Sequence, residues 1–126
     1  MSYDERPIKS HRDLIVWQRA MQVRREVRVI LLSLPLQDRF EIGGQVARAA
    51  LSIPANIAEG HGRMGRADYK QFLSFSRGSI GELDTQLIGI AEDHPNVEQQ
   101  VRSTLGSLDE VSRMVTSILR ELRVKA

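Results

Sequence analysis

Apolar residues recur at steps of three and four along most of this chain, and that spacing commits it to helices. The cleanest run is Tyr69, Leu73, Ser76, Ile80, Leu83, Leu87 and Ile90, one face of a long helix that stops near His94-Pro95. An earlier run, Val16, Ala20, Val23, Val27, Ile30 and Leu34, ends at Pro35. Leu14, Trp17, Met21 and Leu31 lie beside it on the helical wheel. Together they cover about half the circumference, wider than the ~100° stripe of an ordinary surface helix. This first helix is therefore expected to pack on two sides. Ser10 and Asp13 have capping-box spacing at its start. No window alternates with period two long enough to make a strand.

Two further helices complete the pattern. Ile42, Val46, Ala49, Ala50, Ile53 and Ile57 mark the second, with Asp38 as its expected cap and Pro54 expected to kink it. Gly60-His61-Gly62-Arg63-Met64-Gly65 reads as the break after it. The fourth runs from about Asn96 to the C-terminus, with Val97, Val101, Leu105, Leu108, Val115, Leu119 and Leu122 facing inward. The expected fold is all-α: an up-down-up-down antiparallel four-helix bundle, oligomeric, over residues 10–126, preceded by a flexible arm at 1–9.

At 126 residues the chain holds one domain. It lacks cysteine, which excludes disulfides, thiolate metal sites and Cys nucleophiles. No apolar run approaches the about eighteen residues of a membrane span, and the N-terminus carries no apolar signal region. A cytoplasmic protein without a membrane partner is expected. The net charge is only +2, yet the basic set holds fifteen Arg against three Lys. Arginine's planar fork suits phosphate and carboxylate contacts, although a bias in codon usage explains the excess equally well.

Gly60-x-Gly62-x-x-Gly65 matches a dinucleotide fingerprint literally, with Glu82 and Asp84 downstream. That fingerprint needs a strand before it, and here helices precede and follow. The plainer reading is a C-cap glycine and a turn. The glycine amides with Arg63 and Arg66 at the start of the third helix offer a second reading, an anion site. His11, His61 and His94 fall near three different helix ends, and His61 is expected at the end of the bundle opposite His11 and His94. No metal set, cofactor or nucleophile elbow is evident.

On the second helix Gln45, Arg48, Ser52, Asn56, Glu59 and Arg63 form a polar stripe. Asp68, Gln71, Ser79, Glu82 and Gln86 form another on the third, with Phe75 in its midst. Two solvated faces account for most of these residues. A large aromatic on a polar face points instead to cover by another chain, and buried Arg48, Asn56 and Glu59 would then need mutual hydrogen bonds. Arg102, Arg113 and Arg120 align on the fourth helix, and Arg12 and Arg19 on the first. Such rows contact phosphates or are simply paired, here by Glu98 and Asp109.

Three segments, HRDLIVWQRAMQV, GGQVARAALSIPANIAEGHGR and FLSFSRGSIGELDTQL, resemble the four-helix-bundle proteins encoded in intervening sequences of bacterial large-subunit ribosomal RNA genes. The resemblance spans approximately residues 11–122. It implies a bundle that assembles as a homopentamer and has no established catalysis. The accessory variability protein of diversity-generating retroelements, which binds nucleic acid and a reverse transcriptase, is more distantly similar and supports only analogy. The family's motif falls on Trp17, Arg48, Ser52, Asn56, Glu59, Gly60, Gly78, Ser79 and Glu82, while the hydroxyl cap common at the third helix start is missing at Arg66.

The expected function is a non-enzymatic homo-oligomer, a pentamer by resemblance, serving as a scaffold associated with RNA or DNA. An interaction adaptor without nucleic acid, or a bundle binding a small anion or ligand, are the alternatives. Trp17, Arg48, Ser52, Asn56, Glu59, Phe75, Ser79 and Glu82 are the candidate network or interface. Arg63, Arg66, Arg102, Arg113 and Arg120 are the candidate anion or nucleic-acid contacts, and no catalytic or metal residue is named.

Overall fold

The computed structural model describes residues 7–124. Most of the expected arm, residues 1–6, lies outside the described residues, while Pro7, Ile8 and Lys9 are exposed and irregular. Four long helices follow: α1 (Ile15–Leu32), α2 (Gly44–His61), α3 (Arg66–Asp93) and α4 (Glu98–Val124). α1 packs on α2 and α4, and α3 packs on the same two. The four helices thus form a closed ring around one core, and α1 has the two neighbours its broad apolar arc requires. No strand occurs among the described residues.

The core comes from the apolar runs read in the sequence. Val16, Ala20, Val23, Val27, Ile30 and Leu34 are buried, as are Leu73, Ile80, Leu83, Leu87 and Ile90. The half-buried Leu14, Trp17 and Leu31 pack against them. Ser76 occupies a core position and donates its hydroxyl to the Ile53 carbonyl on α2 at 3.0 Å. That bond satisfies a polar group which would otherwise be costly to bury.

Several local expectations need correction. The capping box at Ser10 is present but caps the 3-10 turn His11–Asp13, and α1 starts only after an extended Leu14. Asp38 caps nothing: a helical turn already begins at Leu36 behind Pro35, whose missing N–H costs nothing there. A π turn at Arg39–Gly43 then leads into α2. Arg39 reaches back instead, donating to the Leu34 and Leu32 carbonyls at 2.9 Å each, and so satisfies carbonyls beyond the end of α1's ladder. Pro54 does stand inside α2, buried, and the helix continues past it to His61. The break after it is shorter than read, because Gly60 and His61 are still helical. Gly62 is the C-cap, in right-handed helical geometry rather than the left-handed form that favours glycine.

Candidate functional site

The polar stripes of α2 and α3 meet along the groove between these helices. Ser52 and Ser79 touch hydroxyl to hydroxyl at 2.6 Å, and Ser52 also donates to the Ala49 carbonyl at 2.8 Å. Asn56 donates to the Ser52 carbonyl at 2.8 Å. Each of these partners is a carbonyl or another hydroxyl, so no base stands behind a serine to make it a nucleophile. Within a single chain Arg48, Asn56 and Glu59 make no hydrogen bond to one another. Arg48 and Glu59 are exposed, Glu59 pairs with Arg63 at 3.0 Å, and Arg48 points away toward α1. They lie about three turns apart along one side of α2, with the half-buried Asn56 beside them.

At the C-terminal end of α2 the two helices approach closely. A Cβ on Gly60 would stand 2.8 Å from the Phe72 Cβ and 3.0 Å from Tyr69 Cδ1, so only glycine fits without displacement. Arg63 lies over the Phe72 ring at 5.1 Å, and Phe72 meets Phe75 edge-on at 5.6 Å. Arg63 is thus engaged by Glu59 and Phe72, while Arg66 is exposed at the start of α3. Burial pushes the Tyr69 phenol up from its ordinary 10.0. His11, expected opposite His61, instead meets Trp17 edge-on and lines one depression with Glu59, Gly62 and Arg63. The start of α1 lies beside the end of α2, while His94 sits 3.5 Å from Asp38 near the other ends of these helices.

Two outer surfaces are unbalanced in charge. The groove between α1 and α2, about 350 Å³, is lined by Leu31, Leu32 and Leu51 and by Arg24, Arg28, Arg39 and Arg48. No carboxylate lines it, and none of these arginines forms an ion pair among the described residues. The outward side of α3 is the reverse. Gly78 and Gly81 have open space where a Cβ would be, beside the exposed Phe75 (48%) and the exposed Glu82. Glu82 has no cationic partner among the described residues, whereas Asp84 lies about 160° round the helix from it and Glu92 shares a depression with Arg102 between α3 and α4. Sequence reading picked out Arg48 alone of the four arginines; the i, i+4 spacing of Arg24 and Arg28 was the available signal.

The α4 arginine row is divided. Arg102 pairs with Glu98 at 2.7 Å and Arg113 with Asp109 at 3.1 Å, the acids four residues back. Arg19 of the α1 row pairs with Glu110 at 3.4 Å. Arg120 alone of the three α4 residues joins other cations, in a cleft against α3.

With this architecture in hand, the sequence matches the model of the 23S rRNA-intervening sequence protein family over residues 12–117. The chain belongs to that family. No curated protein matches it. Of the motif residues in this intervening sequence protein, Ser52, Ser79 and Gly60 serve the α2–α3 contact, Asn56 bonds back to the Ser52 carbonyl within α2, and Trp17 packs beside His11. None of the described helices is long and apolar enough to cross a membrane. Among the described residues no three His, Asp or Glu side chains gather where they could hold a metal ion.

Proposed function

We propose that this intervening sequence protein is a non-enzymatic homo-oligomeric scaffold whose copies join head to tail, the α1–α2 groove of one receiving the α3 face of the next. One observation carries this reading: four arginines without carboxylates line the groove, while Glu82, beside the exposed Phe75 on α3, lacks a cation among the described residues. Complementary potentials across two such patches fix register and partner. Glycine inside a helix costs about 1 kcal/mol relative to alanine, and close approach of a second backbone is a reason to keep it. A contact between two different patches closes into a ring when the rotation permits. The number five comes from the family resemblance.

The same reading takes the helices as up-down-up-down. Short connections between consecutive packed helices support it, as does Asp38, at the lead into α2, lying near His94 after α3. It also places the scaffold in the cytoplasm in association with nucleic acid, since repeated copies multiply a modest charge of +2 per chain into a strong local field. Sedimentation equilibrium at micromolar concentration tests the assembly. The expected mass is several times the 14.3 kDa of one chain, and a single-chain mass would overturn it.

A further inference from the structure

The cleft between α3 and α4 holds a cluster that the fold does not need. Lys70 and Arg77 on α3 face Arg120 and Arg123 on α4 around a volume of about 230 Å³. No carboxylate lines it, and none of the four cations has an ion-pair partner among the described residues. Arg19, Arg63, Arg102 and Arg113 are matched by acids, whereas these four cations, like the arginines of the α1–α2 groove, are not. Four like charges sharing one cleft repel each other, and an anion placed among them removes that cost.

Two neutral donors complete the set. Ser74 and Thr116 line the same cleft, and neither hydroxyl has a hydrogen-bond partner among the described residues. The hydroxyls of Ser33, Ser52, Ser76, Thr85 and Ser107 each reach a helix carbonyl instead. The cleft thus offers cationic and hydroxyl donors with no carboxylate among them, which suits a tetrahedral oxyanion. It is smaller than the ~300 Å³ lower bound for pockets that enclose drug-sized ligands. Its one apolar residue is Leu119, and no aromatic lines it for a base to stack on.

We infer that the α3–α4 cleft binds a phosphate group through Lys70, Arg77, Arg120 and Arg123, with Ser74 and Thr116 as neutral donors. The phosphate comes either from a polynucleotide backbone or as a free ion. This deepens the nucleic-acid part of the proposed function and rests on it only for the polymer source. Binding through phosphate alone is indifferent to base sequence.

Anisotropy of a labelled single-stranded RNA across a salt series, with calorimetric titration of inorganic phosphate, tests the site on three proteins. These are the wild type, Arg77→Gln/Arg120→Gln, and the control Arg102→Gln/Arg113→Gln. All four arginines are exposed, so both variants keep the core. The cleft variant is expected to bind RNA about tenfold more weakly and to flatten the logarithmic salt slope by about 1.4, at about 0.7 per phosphate on single strands. The control is expected to stay near wild type. Phosphate binding that the cleft variant abolishes, without RNA binding, supports the site with free phosphate as its source and removes the nucleic-acid reading. RNA binding equally strong in the cleft variant overturns the site while leaving that reading intact. Binding of neither probe overturns both.

Discussion

Gly60 on α2 lies against Phe72 on α3 so closely that a methyl group there would stand 2.8 Å from the Phe72 Cβ. This contact sets the separation of the two helices that pack most extensively on each other. It also holds Phe72 where Arg63 covers one side of its ring and Phe75 meets it edge-on.

Gly60→Ala should therefore destabilise the bundle despite alanine's better helix propensity. Overpacking costs typically about 1–3 kcal/mol, against about 1 kcal/mol regained from propensity. Urea denaturation followed by circular dichroism should show a lower midpoint with an unchanged slope.

The opposite sign is expected on the outer side of α3. Gly78→Ala and Gly81→Ala meet open space and should each stabilise the single chain by about 0.5–1 kcal/mol. If the next copy seats on this face, the same substitutions should weaken assembly. Denaturation at concentrations where the chains dissociate, beside sedimentation at higher concentration, separates the two effects.

Ser76→Ala removes a buried hydroxyl that donates to the Ile53 carbonyl, a carbonyl that also lies in the α2 ladder. A loss of about 0.5–1.5 kcal/mol is expected, since the hydroxyl goes with its bond. Leu73→Ala, in the same core stripe, should cost about 2–5 kcal/mol through the cavity it leaves. Paired chevron or equilibrium measurements would rank them.

The raised phenol of Tyr69 makes stability fall at alkaline pH. Below the ordinary value of 10.0 both folded and unfolded chains hold the proton, so the contribution is constant. As pH rises past 10.0 the unfolded phenol ionises first, and stability declines until the raised folded value is passed. Tyr69→Phe should remove that part of the decline. The difference in alkaline absorbance titration between wild type and variant should place the Tyr69 transition above 10.0.

Periodicity made the helices legible because core residues repeat wherever a helix faces the same neighbours. The Tyr69-to-Ile90 run, including Ser76, lies along the core side as read, with Tyr69 only half-buried. What periodicity does not contain is the contact between segments. Asp38 looks like a cap until Pro35 starts the helix earlier, and Arg39 serves α1's carbonyls from a position outside α1. Gly60 reads as a break, although its close neighbour Phe72 makes it part of the packing. Lys70 and Arg77 were not joined to Arg120 and Arg123, because that needs the register of α3 against α4.

The claim that copies meet groove to face is tested most directly by mixing two blocked chains. Leu51→Asp with Arg48→Glu closes the groove, and Phe75→Asp with Gly78→Arg closes the α3 face; all four positions are exposed, so each chain keeps its core. Each variant alone should sediment as a 14.3 kDa chain, and their mixture should form a pair of twice that mass through the one intact groove and the one intact face. A mixture that stays at the single-chain mass, or either variant that still assembles fully alone, would contradict the head-to-tail contact.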